Sequence, residues 1–289
     1  MPAYRRDRLA QTVLGLVLVA ISLTMIAPLI HLLAISLSDG SYVLARKIYF
    51  WPKGINLDVY KQILQLKSLW KSFGVTIYIT VVGTILCLIV SSMTAYPLSR
   101  STMKGRTFLL RAIVVTFVFS IPLIPGYLTV RALGMENTLW ALMIPGVTGA
   151  YYVLIMKTFF QGISSELYDS AKLDGCTEYG IFTRMVIPLS KPVLATIALF
   201  HAVGQWNSYF GAMIYIRDKT MAPLQIVLRS LVVDTTDGAL GGQGFDLVLQ
   251  TPEMVKAGIT LFVTLPILLV YPFLQKYFVQ GAMLGSLKE

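Results

Sequence analysis

Catalysis or metal binding needs donors and nucleophiles within reach of one another, and this sequence supplies few. His31 and His201 are its only histidines, and Cys87 and Cys176 its only cysteines. None has a second ligand at a working spacing, such as the H-E-x-x-H of a zinc site. Each histidine lies inside a long apolar run, where an ionisable residue is a functional candidate. A neutral imidazole hydrogen-bonded to a neighbouring helix accounts for both more simply. Cys87 lies in an apolar run and Cys176 in a polar stretch, so the pair predicts neither a disulfide nor a metal quartet. No G-x-x-x-x-G-K-[ST] loop is present to cradle nucleotide phosphates. No nucleophile–base pair stands out. What remains is recognition chemistry, in a polar segment at 165–192 and in a stripe of small and polar residues beginning at His201.

The elements that hold these segments are apolar. Of 289 residues, 56% are hydrophobic and 13% charged, against roughly 25% charged in a soluble domain. The mean hydropathy is +0.71. A spanning helix needs about 20 mostly apolar residues. Six runs have that length: 9–37, 73–95, 108–127, 139–159, 192–216 and 257–278. The expected fold is therefore an all-α polytopic membrane protein of six transmembrane helices, forming one domain over 1–289. The first run is too long for a signal peptide, whose apolar core is about 7–15 residues, and reads as an uncleaved span. Pro122, Pro125 and Gly126 mark the third run as able to end early, and Pro266 and Pro272 predict a kinked sixth.

Orientation follows from basic residues in short flanks. Arg5, Arg6 and Arg8 precede the first run, and Arg100, Lys104 and Arg106 fill the loop between the second and third. The next short loop has only Arg131. Six spans then place both termini in the cytoplasm. The net charge of +10 is spread over separate interhelical stretches, which suits anionic headgroups and predicts no nucleic acid partner.

The segment 165–192 reads as two short helices joined by a turn. Ser165 is placed to cap the first, with Glu166 favourable in its first turn. Leu167, Ser170, Ala171 and Asp174 recur at helical spacing and give a face of small residues. Gly175 ends that helix by taking φ > 0. Thr177 caps the second, and Pro188 stops it. A small-residue helical face in a cytoplasmic loop suits a groove on another protein.

This loop resembles the EAA loop of ABC importer permeases. Asp169, Ser170 and Ala171 stand at its three-residue core, Lys172, Leu173 and Asp174 follow, Gly175 is its glycine, and Ile187 and Pro188 are its closing pair. Asp replaces Glu and Ser replaces Ala. The chain also resembles the carbohydrate-uptake branch, of the maltose importer's smaller-permease type and the LplC/YtcP-like multiple-sugar group. The segments that carry this are Phe50-Trp51-Pro52-Lys53-Gly54, Ala95-Tyr96-Pro97-Leu98-Ser99-Arg100, Asn137-Thr138-Leu139-Trp140-Ala141-Leu142, Trp206-Asn207-Ser208-Tyr209-Phe210, Pro223-Leu224-Gln225, and the tail from Gly281 through Gly285 and Ser286 to Lys288.

The resemblance implies a non-enzymatic permease of a bacterial cytoplasmic membrane. Its implied partners are a second, non-identical permease, two ATPase subunits that bind ATP and magnesium, and an extracytoplasmic sugar-binding protein. No cofactor is implied for this chain. The coupling loop, 160–191, would dock on an ATPase subunit, and the tail would reach between the ATPases or be a frayed end. The cargo would be an oligosaccharide, for example from a uronate polymer such as alginate or pectin. An amino-acid or peptide importer permease is the alternative, and a six-span channel subunit a further one. Leu240-Gly241-Gly242-Gln243 echoes the signature loop of ABC ATPases but lacks its serine and reads as a flexible extracytoplasmic loop.

In the fifth run, His201, Gly204, Gln205, Ser208, Gly211 and Ala212 form a stripe at helical spacing, with Trp206 and Asn207 beside it. Polar residues in a span face protein or a watery cavity. Two readings stand: close packing on the partner permease through small residues, or a pathway lining in which Gln205, Asn207 and Ser208 bond sugar hydroxyls and Trp206 offers a flat face.

Overall fold

The computed structural model describes the backbone of residues 2–119, 121–234 and 251–286, and side chains over 11–119, 121–230 and 251–272. The glycine-rich decoy at 238–244 and the tail residues Leu287 and Lys288 lie outside the described residues. Those described form helices and loops with no strand. By contact the chain divides into two compact units, Met1–Trp70 with Val227–Pro266, and Lys71–Ile226 with Ile267–Glu289.

In the first unit, α1 (Pro2–Ser36) continues through Pro28. Its stretch Gln11–Ser36 has no residue buried within the chain over its most apolar window. A helix apolar on every side with no protein against it is suited to lipid. Two short helices follow, α2 (Gly40–Leu44), capped by the Asp39 carboxylate, and α3 (Asp58–Gln65). Val59 and Ile63 of α3 are fully buried. They meet the later helix α15 (Pro252–Ser286) at Gly258, where an added Cβ would lie 2.7 Å from Val59 and 3.1 Å from Ile63. Only a hydrogen at that position permits so close an approach.

In the second unit the long element is α4 (Lys67–Ser99), whose described range begins just before the unit does. Then come α5 (Arg106–Val118), α6 (Leu123–Ala132), α7 (Trp140–Met143), α8 (Ala150–Gln161), α9 (Ser165–Leu173), α10 (Glu178–Ile181), a π-helical turn at Phe182–Val186, α11 (Ile187–Leu189), α12 (Lys191–Trp206) and α13 (Phe210–Tyr215). α14 (Leu224–Asp234) follows α13 in the chain and lies, from Val227 on, in the first unit. The core of the second unit gathers Cys87, Ala95 and Leu98 of α4, Val153, Met156 and Phe160 of α8, Tyr168 of α9, Ile181 and Val186, and Val193 and Ile197 of α12.

Several expected spans are not single helices. Three helices are long and apolar enough to cross a membrane alone, Gln11–Ser36, Lys67–Ser99 and Pro252–Pro272. Two more candidates are bent pairs, Arg106–Val118 with Leu123–Ala132, and Glu178–Leu189 with Lys191–Trp206, the latter bent by 77°. The run 139–159 is interrupted between α7 and α8, where Pro145 has no N–H to continue a ladder and Gly146 favours a turn. The run 192–216 also breaks, because α12 ends at Trp206 and α13 begins at Phe210. The stripe is corrected accordingly: His201, Gly204 and Gln205 share one helix, whereas Ser208, Gly211 and Ala212 are out of its register.

Candidate coupling and pathway site

The loop helix α9 is built by local rules, with one shift. Ser164, not Ser165, is its N-cap, accepting the Glu166 N–H at 3.3 Å. The adjacent serines are chemically equivalent, and the chain takes the earlier one. At the other end Gly175 adopts φ +75°. The Gly175 N–H then reaches the Lys172 carbonyl and the Cys176 N–H the Ala171 carbonyl, both at 3.0 Å. This is the paired closure of a Schellman motif, and it satisfies carbonyls the helix end would leave open. Thr177 caps α10 through the Gly180 N–H at 3.2 Å.

Pro188 does not end the second helix. The π turn upstream absorbs it: Ile187 N–H bonds the Phe182 carbonyl five residues back, and the chain stays helical to Leu189. The sharp break comes at the buried Ser190.

α9 is fixed to the chain by one face. Tyr168 is 1% exposed, and the Arg100 guanidinium lies 3.5 Å over its ring centre, a stacked cation–π geometry. Burial pushes the Tyr168 phenol above its ordinary value, with the charge of Arg100 opposing. Ala171, one turn on, is half-buried against the same core. At about 100° per residue, the side of the helix opposite Tyr168 carries Glu166, Ser170 and Leu173, with Asp169 beside them. All four are exposed, Leu173 by 89%. The outward surface is therefore rotated from the small-residue face expected, because Ala171 turns inward. Lys172 bonds Glu178 Oε1 at 2.9 Å, and the Tyr96 hydroxyl donates to Glu178 Oε2 at 2.7 Å. The Lys172 bond first and the Tyr96 bond second hold the Glu178 carboxyl below its usual range. Asp174 is the C-cap residue of α9.

The four pathway candidates separate into two pairs. Gln205 donates to the Leu142 carbonyl at 2.9 Å, and Trp206 is 7% exposed with its ring edge-on to Phe73. Both are turned into the chain. Asn207 and Ser208 are exposed at the open end of α12, and Asn207 Nδ2 bonds its own helix at the Val203 carbonyl. His201 pairs with Thr84 Oγ1 at 3.1 Å and with the backbone of Gly146, so it meets the interrupted α7–α8 stretch. Gly281, Gly285 and Ser286 lie in the last turns of α15.

A second polar node joins residues far apart in sequence. Glu136, 19% exposed, accepts Arg217 at 2.6 Å and the Tyr127 hydroxyl at 2.9 Å, with Arg131 at 3.8 Å. The Tyr127 bond, then the two arginines, hold this carboxyl low. Beside it Asn137 takes φ +58°. Its Oδ1 accepts the N–H groups of Arg217 and Asp218, each at 3.0 Å, and its own N–H donates to the Tyr215 carbonyl. Tyr127 and Tyr215 stack at 6.0 Å.

These features sit within a recognised sequence pattern. Residues 88–284 match the family described as "Binding-protein-dependent transport system inner membrane component". The chain belongs to this family. The permease is 41% identical to Protein LplC of Bacillus subtilis (strain 168) over 91% of its own length and 89% of the relative's. It is 38% identical to the polygalacturonan/rhamnogalacturonan transport system permease protein YtcP of the same organism, over 98% and 99%. Among solved structures it is similar to a chain of a bacterial ABC transporter involved in the import of the acidic polysaccharide alginate. That match has TM-score 0.86 and 32% identity, covering 95% of the permease and 98% of that chain. The permease is thus a multi-pass membrane transport component.

Missed at the level of sequence were the roles of Tyr96, Arg100 and Glu178, and the whole Glu136–Asn137–Arg217 node. Tyr96 and Arg100 stood in a matching segment, but nothing in their spacing names partners about 70 to 80 residues away.

Proposed function

We propose that this permease forms one half of a transmembrane pathway for an oligosaccharide released from an acidic polysaccharide, with six membrane passages in a single domain and both termini cytoplasmic. The other half is a second, non-identical permease. Two ATPase subunits supply ATP hydrolysis, and an extracytoplasmic binding protein delivers the sugar. Two similarities support the cargo class: YtcP is named for polygalacturonan and rhamnogalacturonan, and the solved relative imports alginate. All three are polysaccharides, which favours sugar over an amino acid or peptide. Asn207 and Ser208 border the pathway, and Gln205 and Trp206 set their position. The tail at Gly281, Gly285 and Ser286 approaches the ATPases.

The observation that carries the coupling role is α9 itself. It is a short, capped, exposed helix seated on the core by one buried tyrosine, with its polar side outward. ATPase closure moves this helix and, through it, the spans, giving alternating access by rigid-body rocking.

The test is reconstitution with the partner subunits in vesicles, comparing Gly175→Val, Asp169→Lys and Ala171→Trp with the parent. A β-branched residue at φ +75° costs about 1–3 kcal/mol, although space beside Gly175 is open. Asp169→Lys reverses charge on the outward face. Ala171→Trp lifts the helix off its seat. All three are expected to insert normally, recover less ATPase, and lose stimulation by binding protein and sugar. Parent-like assembly and uptake in all three would reduce the loop to a connector.

A further inference from the structure

α9 is nine residues long, too short to keep a fixed direction without tertiary support. Its buried Tyr168 packs in the core shared by α4, α8 and α12, and its polar and cation–π ties run to the last turn of α4. Arg100, just past the end of that helix, stacks on Tyr168 at 3.5 Å. Tyr96, four residues earlier, reaches α9 through Glu178, whose other oxygen holds Lys172. Ala95 and Leu98 lie in the same buried cluster as Tyr168. The end of α4 is itself tied down, since Arg106 Nε donates to the Leu98 carbonyl at 2.9 Å. One handle is therefore an aromatic–cation stack at Tyr168 and the other a three-member hydrogen-bonded chain at Lys172, one turn further along α9.

We propose that Tyr96, Arg100 and Glu178 are positioning residues that mount α9 on α4, so that displacement of the loop helix is passed to the 33-residue α4 instead of being absorbed by bending of the loop. They do not form the docking surface. Asp169, Ser170 and Leu173 face outward, away from them. The inference rests on the reading of α9 as the docking element and adds the route by which its motion enters the spans. The chemistry of each residue follows. Lysine at 100 keeps the charge but loses the planar face that stacks on a ring. Phenylalanine at 96 keeps the packing against Phe182, 5.1 Å away between centroids, but loses the donor to Glu178. Phenylalanine at 168 keeps the ring on which Arg100 stacks, so Tyr168→Phe keeps the mount and Tyr168→Ala removes it.

The experiment uses the assembled transporter in vesicles. It measures ATPase recovery, basal hydrolysis, and the ratio of hydrolysis with binding protein and sugar to hydrolysis without. For Arg100→Lys, Tyr96→Phe and Glu178→Gln, recovery and basal rate are expected to match the parent, while the stimulated ratio and uptake fall roughly fivefold or more. Tyr96→Phe combined with Glu178→Gln is expected to be no worse than Glu178→Gln alone, because that change already weakens both bonds of the Tyr96–Glu178–Lys172 chain. Tyr168→Phe is expected to match the parent. Parent-like ratios in the three single variants overturn the mount. So does reduced ATPase recovery in them, which would assign these residues to the docking surface. If the parent itself recovers no ATPase, the docking reading fails, and the mount falls with it.

Discussion

Two glutamates in the second unit are held in chemically similar ways but for different mechanical ends. Glu136 and Glu178 each accept a tyrosine hydroxyl and a basic side chain. Glu136 is 19% exposed and takes two arginines, beside an asparagine locked at positive φ that binds two backbone N–H groups. Glu178 is 58% exposed and takes one lysine. The first node ties loop backbone to loop backbone, between the end of α6 and the segment after α13. The second ties one side chain to another, across a loop that the proposed mechanism requires to move. Exposure weakens an ion pair by solvation, and backbone clamps resist motion that side-chain bonds permit. The pattern is consistent with a rigid joint at 136–137 and a compliant mount at 178.

The largest effect should come from Asn137. Asn137→Ala places a residue with little αL tolerance at φ +58° and removes both bonds to the 217–218 backbone, together a loss of about 2–3 kcal/mol. Asn137→Gly keeps the backbone and loses only the bonds, so it should fall between. The check is the thermal midpoint of the purified complex in detergent. If Asn137→Ala melts with the parent, the joint is not a rigid one.

A smaller effect should separate the two glutamates directly. Glu136→Gln is expected to lower the midpoint by less than Asn137→Ala, and Glu178→Gln by less again. For coupling the order should invert: Glu178→Gln depresses stimulated hydrolysis, while Glu136→Gln that remains folded leaves the stimulated ratio near the parent's. Equal shifts in both measurements for both variants would erase the distinction.

What could be read from the sequence divides along the same line. The turn that ends the loop helix and the cap of α10 were legible, because Gly175 and Thr177 act within a few residues of themselves. So was the apolar all-helical class, fixed by composition. The choice of Ser164 over Ser165 was not, since neighbouring serines carry equal signals. The stripe beyond Gln205 failed because periodicity assumes a continuous helix, and the polar run Gln205 to Ser208 marks where α12 stops. Ala171 was assigned to a partner-facing side because small size alone does not say which way a residue turns. That orientation was set by Tyr168, and a tyrosine in a polar loop does not announce burial. Glu136, Asn137 and Arg217 were illegible for a different reason: their bonds cross about 80 residues of chain.

The smallest expected effect is a dependence on acid, and it tests the joint without a backbone change. Both carboxyls lie below their ordinary values, Glu136 chiefly through the Tyr127 bond and Glu178 chiefly through Lys172. A carboxyl whose folded pKa is depressed stabilises the fold above its unfolded value, about 4.3 for glutamate, and loses that contribution as pH falls through the folded value. Neither node should therefore respond between about pH 8 and pH 6, and both should weaken only as pH drops below about 5. In the proposed topology Glu136 lies outside and Glu178 inside. Vesicles carrying the permease with its binding-protein side outward can be buffered at neutral pH within and acidified without. The parent should then gain protease sensitivity near 136 and 217 under acid, while Glu136→Gln, already lacking the carboxylate, should show a flatter response. Parallel acid profiles for the parent and Glu136→Gln would mean that another group carries the acid response. A change confined to the 160–191 loop would place Glu178, not Glu136, on the acidified side.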